Sequence, residues 1–94
     1  MIRSFADART EAAFHGRHHR SVPPDIRQRA RRKLRMIHAS ATLDDLASPP
    51  SNRLEALRGD RVGQYSIRIN RQWRICFRWD EGDAYEVEVV DYHS

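Results

Sequence analysis

Asp91-Tyr92-His93 places a carboxylate, a phenol and an imidazole in consecutive positions. They directly follow an apolar run with strand alternation, Tyr85-Glu86-Val87-Glu88-Val89-Val90. A rigid strand that delivers these three groups together supplies the parts for acid–base chemistry. Only the imidazole of His93 has an unperturbed pKa near neutrality. Cations accompany the tail. Arg58-Gly59-Asp60-Arg61 is a turn with two of them, and Arg68 and Arg74 lie on neighbouring strands. Together these residues form one candidate polyanion site.

The elements that must position this site follow from a period of two. Tyr65, Ile67 and Ile69 alternate with Gln64, Ser66 and Arg68. Trp73, Ile75, Phe77 and Trp79 alternate with Arg74, Cys76 and Arg78, and Tyr85, Val87 and Val89 alternate with Glu86 and Glu88. Three half-buried strands joined by short polar turns make an antiparallel meander. Leu54 to Arg58 is expected as a fourth strand.

A slip of one residue would send every apolar side chain to the wrong face, so the alternation fixes the register. Ile69 should face Trp73, Ile67 should face Ile75, and Tyr65 should face Phe77. In the next hairpin Trp79 should face Tyr85, Phe77 should face Val87, and Ile75 should face Val89, with Glu81-Gly82-Asp83 in the turn. Arg78 then lies opposite Glu86, and Arg68 opposite Arg74. Trp73 meets Asp91, which leaves Tyr92 and His93 beside the Gln72 and Arg71 turn. Two arginines set against each other need an anion or must splay into solvent. Removing Arg74 should therefore relieve a like-charge repulsion.

Helices come first in the chain. Met1 to Phe5 reads as a short edge strand and Asp7 to Phe14 as a short helix. Pro23-Pro24-Asp25 opens the strongest helix, because proline suits a first turn and an acid suits the positive helix end. Ile26, Ala30, Leu34 and Ile37 form its apolar stripe, while Arg27, Arg29, Arg31, Arg32, Lys33 and Arg35 crowd the other faces. Thr42 should cap one helical turn through Leu46. Helices before sheet predict an α+β domain over residues 1–94, with two N-terminal helices on one face of a small, mainly antiparallel sheet.

Composition bounds the function. Residues 1–78 hold all 17 Lys and Arg against 7 acids, and residues 79–94 hold the other 6 acids. A net +10 body can bind polyanions, while the −6 end is left for structural pairing. The single cysteine, Cys76, excludes an intrachain disulfide and fits a reducing cytoplasm. No apolar run reaches the length of a signal segment or a membrane span. His15-x-x-His18-His19 has metal-like spacing, but it lacks cysteine and carboxylate neighbours and reads as a solvated loop. Nothing marks Cys76 as a nucleophile, and no Gly-rich phosphate loop is present.

These motifs carry a family resemblance. Asn52-Arg53-Leu54-Glu55-Ala56-Leu57-Arg58-Gly59-Asp60-Arg61, then Gln64 to Asn70, then Gln72-Trp73-Arg74-Ile75-Cys76-Phe77 and Val90-Asp91-Tyr92-His93 resemble the HigB toxins of the RelE/ParE superfamily. The resemblance covers essentially the whole chain, including Met1-Ile2-Arg3-Ser4-Phe5. It implies the RelE-like microbial RNase fold and a bacterial type II toxin. Such a toxin enters the ribosomal A site and cleaves messenger RNA without a metal or other cofactor. It also implies a cognate HigA-like helix-turn-helix antitoxin, with operator DNA reached only through that antitoxin.

Carried over by position, the resemblance gives catalytic roles to Arg58, Arg74, Asp91, Tyr92 and His93. Arg61, Arg68, Arg71 and Gln72 lie around them as expected RNA contacts. Some family members have histidine where Glu55 stands and lysine where Arg58 stands. Arginine stabilises charge but is a poor general acid, so proton transfer falls to His93 with Tyr92 or Asp91. Two other readings remain open at this level: a ParE-like gyrase inhibitor without catalysis, and a basic module that binds RNA without cleaving it.

Overall fold

The computed structural model describes residues 1–92. Asp7 caps α1 (Ala8–Phe14), its carboxylate accepting the Thr10 N–H at 2.9 Å. Proline stands in the first turn of α2 (Pro24–Ala39), and the stripe Ile26, Ala30, Leu34, Ile37 is buried. Thr42 and Asp45 form a reciprocal capping box that starts α3 (Leu43–Ala47). A 3₁₀ turn over Pro50–Asn52 leads into the sheet.

Four antiparallel strands lie in the order β1 (Glu55–Ala56), β2 (Gln64–Arg68), β3 (Trp73–Asp80) and β4 (Asp83–Asp91). The helices pack on the sheet face that carries Ile67, Ile75, Phe77, Val87 and Val89, all fully buried. The opposite face carries Ser66, Arg68, Arg74, Cys76 and Glu88. The chain is α+β, as the alternation predicts. No helix among the described residues is long and apolar enough to cross a membrane.

The β2–β3 ladder has the expected register, with Ile67 opposite Ile75, Tyr65 opposite Phe77 and Arg68 opposite Arg74. The β3–β4 ladder is corrected in its outer half. Trp79 faces Ala84 and Arg78 faces Tyr85, while Ile75 still faces Val89. The turn is tighter than expected. Only Glu81 and Gly82 make it, at φ 46° and 82°, and Asp83 pairs with Asp80. A bulge between Cys76 and Arg78 takes up the extra residue, and Glu86 there adopts φ 53°. Ala84 rather than Tyr85 therefore points inward. Arg78 keeps Glu86 as its partner, Nε to Oε2 at 2.8 Å.

Two further expectations are shortened or revised. Residues 1–5 run parallel beside β4 through isolated bridges, Ile2 to Ala84 and Phe5 to Val87. The bulge separates these bridges, and the Ser4 hydroxyl caps the Glu86 N–H there at 2.9 Å. The expected strand over 54–58 contracts to Glu55–Ala56, paired with Ser66 and Tyr65. Lys33 is not on an outer face. It is buried, and its ammonium donates to the side-chain oxygen of Asn52.

Candidate active site

Arg74 is the most constrained cation of the open sheet face. Its side chain needs no outside anion to offset Arg68 across the ladder. Nε donates to Ser66 Oγ at 2.8 Å, and one terminal nitrogen donates to the Arg53 carbonyl at 2.6 Å. The same nitrogen lies 3.7 Å from Glu55 Oε1. With only 9% of its surface exposed, Arg74 is held rather than splayed, which revises the like-charge expectation.

Local sequence explains the clamp. Pro50–Asn52 ends in Arg53, whose backbone turns left-handed at φ 45°. That turn presents the Arg53 carbonyl to β3. Ser66 sits on the strand between β1 and β3, so its hydroxyl meets a guanidinium reaching diagonally across. Asn70 shapes the β2–β3 turn: its Oδ1 accepts the N–H groups of Gln72 at 2.8 Å and Trp73 at 2.7 Å.

The turn in turn positions the end of β4. Gln72 accepts the Tyr92 N–H through its carbonyl at 2.7 Å. Its side-chain amide donates to both Asp91 oxygens, at 3.2 and 3.3 Å. Tyr92 then stands with its ring centroid 6.0 Å from the Arg74 guanidinium carbon. Arg53, Glu55, Arg68, Arg71, Arg74 and Tyr92 line a groove of about 370 Å³. Glu55 and Tyr92 also border an adjoining concavity that contains Arg58.

The structure thus brings Arg68, Arg71, Arg74 and Tyr92 into one groove, with Arg58 across the Glu55–Tyr92 divide. Arg61 is differently engaged. It donates to Glu88 at 3.1 Å and to Gln64 at 3.0 Å. Burial opposes its charge, but the Glu88 hydrogen bond and the nearby Cys76, Glu88 and Tyr92 hold its pKa above the usual value. Burial pushes the Cys76 thiol up against the opposing pull of Arg61, which leaves it a weak nucleophile. The expected role of His93 lies outside the described residues.

Glu55 is the residue that sequence reasoning left out of the site. It lies on a two-residue edge strand, where alternation carries little information. Its closeness to Arg74 depends on a diagonal reach across β2. The histidine found at this position in resembling proteins was the available signal. Of the discounted motif, His18 Nδ1 lies 3.0 Å from Arg27, and His19 Nδ1 accepts the Ser21 N–H.

The fold, a small antiparallel sheet backed by helices on one face, is similar to that of YoeB. The solved YoeB–YefM complex from Staphylococcus aureus has a chain that aligns with a TM-score of 0.57 at 14% identity, covering 100% of this chain and 99% of that one. The YoeB dimer from the same organism gives 0.55 at 16% identity, covering 99% and 95%.

Sequence similarity narrows the class. The HigB-like toxins, described as RelE-like toxins of the type II toxin–antitoxin system HigB, match residues 3–93. Toxin HigB-1 of Vibrio cholerae is 41% identical over 76 residues, 81% of this chain and 79% of that protein. Endoribonuclease HigB of Proteus vulgaris is 32% identical over 93 residues, 99% of this chain and all of the other. The chain belongs to the HigB-like toxin family.

Proposed function

We propose that this chain is a ribosome-dependent endoribonuclease that cleaves messenger RNA by 2′-OH attack, without a metal. The observation that carries the reading is the clamp on Arg74, which fixes a guanidinium beside Glu55 and Tyr92 in a groove. RNA supplies its own nucleophile, so the protein needs a base, a charge stabiliser and an acid. A carboxylate, Glu55 or Asp91, takes the proton of the 2′-OH. The oxygen attacks phosphorus, and Arg74 and Arg58 stabilise the phosphorane charge, the contribution usually worth most. As the bond to the 5′-oxygen breaks, His93 donates the proton to it, with Tyr92 stacking or donating nearby. The products are a 2′,3′-cyclic phosphate and a 5′-hydroxyl.

Two features support a requirement for the ribosome. Glu55 is exposed on the groove wall, and Arg58 stands exposed beyond the Glu55–Tyr92 divide. A message bound here needs an external surface to hold it in line for attack. Membership in a toxin–antitoxin family supports neutralisation by an antitoxin, which we place as a HigA-like helix-turn-helix protein that alone touches operator DNA.

End-group analysis of ribosome-bound messages tests the reading. Fragments ending in 2′,3′-cyclic phosphate, absent with naked RNA and unaffected by chelator, are expected. Intact messages beside inhibited DNA supercoiling would overturn it in favour of gyrase inhibition.

A further inference from the structure

Arg29, Arg32 and Lys33 of α2 face Arg68 and Arg71 across a cleft of about 500 Å³ at the end of the sheet. None of its lining residues is acidic. Arg29 and Arg32 are exposed, and Arg29 reaches the Ile69 carbonyl at 3.4 Å, which ties the helix to the β2–β3 turn. Burial first, then the neighbouring Arg29 and Arg32, lower the pKa of Lys33. Five cations converging without a carboxylate make a site for an anion of extended charge.

The position of the cleft says which anion. Arg68, Asn70 and Arg71 form its wall and also line the groove around Arg74. The two depressions therefore adjoin through these shared residues. We propose that the cleft between α2 and the β2–β3 turn is a second phosphodiester site, which takes the RNA backbone running on from the groove around Arg74. The site rests on the nuclease reading for the direction of the strand. Its chemistry is contact with phosphates, so it contributes affinity and register rather than base preference.

The test uses the full chain and 2′-O-methyl oligoribonucleotides, which lack the attacking hydroxyl. A trinucleotide fills only the groove, whereas a heptanucleotide extends into the cleft. The heptanucleotide should bind the unmodified protein more tightly than the trinucleotide. Arg29→Gln/Arg32→Gln should weaken heptanucleotide binding on the order of tenfold and flatten its salt dependence by about 1.4 in log–log slope, as expected for two lost phosphate contacts. Trinucleotide affinity should not move. Circular dichroism checks the fold, and Arg32→Gln alone, which removes no backbone contact, serves if the double variant unfolds.

Equal heptanucleotide affinity in variant and parent overturns the site, as does a parent that does not distinguish the two lengths. Retained RNA affinity with weakened antitoxin binding assigns the cleft to a protein partner and also overturns it. A protein that binds the heptanucleotide through Arg29 and Arg32 but cleaves no ribosome-bound message leaves the cleft standing and sinks the nuclease reading alone.

Discussion

The guanidinium of Arg74 on β3 reaches across β2 to within 3.7 Å of the Glu55 carboxylate on β1. A candidate charge stabiliser and a candidate base thus line the same groove while lying nineteen positions apart in the sequence. The pair is not a closed, buried ion pair: Arg74 is buried, but the Glu55 side chain is 56% exposed.

Replacing Arg74 should cost both activity and stability. Arg74→Ala leaves the Ser66 hydroxyl and the Arg53 carbonyl without their donor. Leaving such groups unsatisfied typically costs about 1–3 kcal/mol. This reverses the expectation of relief from like-charge repulsion, a smaller effect of a few tenths. Arg74→Lys should recover part of the stability but little cleavage, because an ammonium cannot span both acceptors in a planar fork. Denaturant midpoints and cleavage of ribosome-bound message separate the two losses. An Arg74→Ala protein of unchanged midpoint would refute the clamp.

Glu55→Gln removes a candidate base while keeping its size. If Glu55 takes the 2′-OH proton, the rate should fall about 10²–10⁴-fold. Glu55→His should restore activity in part and move the acidic limb of the pH–rate profile upward. A Glu55→Gln protein with a normal rate and profile assigns the proton to Asp91 instead.

His93→Ala should abolish growth arrest while antitoxin capture survives, because the change removes no member of the described core. Loss of a general acid again costs about 10²–10⁴-fold. Message cleavage at near-parental rate would remove His93 from the mechanism.

His38 should make the fold sensitive to mild acid. Its Nδ1 accepts the Ile2 N–H at 3.1 Å, which requires a neutral ring. Burial, then the amino terminus, Arg35 and Arg3, lower its pKa in the fold. With the folded value depressed below an unfolded value of about 6.5, its contribution is full above that pH and is lost as pH falls through the folded pKa. Asp45 and Asp83 also have lowered pKa values, so their contributions fade only at still lower pH. Urea midpoints should therefore drop between pH 7.5 and 5. His38→Gln should flatten that drop, and an unchanged slope would contradict the assignment.

The parts of this fold that were legible in sequence are those carried by repetition. The alternation from Tyr65 to Phe77 fixed one ladder because each wrong register exposes a row of large apolar side chains. The spacing of Ile26, Ala30, Leu34 and Ile37 did the same for α2. The β3–β4 ladder was legible only near Ile75 and Val89, since a bulge at Glu86 shifts register without changing the apolar count. Arg68, Arg71, Arg74 and Tyr92 were legible as groove residues because strand register alone brings them together. Glu55, the carbonyl of Arg53 and the burial of Lys33 were not. Each depends on a long side chain crossing between elements, or on a left-handed backbone that no local pattern announces.

Asn52 gives the molecule a genetic vulnerability at a buried side chain that does not line the groove. Its side chain is fully buried, accepts from Lys33 and donates to the Leu46 carbonyl at 2.9 Å, so it anchors α2 and α3 beneath the turn. The next residue in the chain supplies the carbonyl that grips Arg74. Bacteria surviving forced expression of this chain would then carry inactivating alleles at codon 52 as well as in the groove. Those alleles would read as surface-silent, because the Asn52 side chain itself is fully buried.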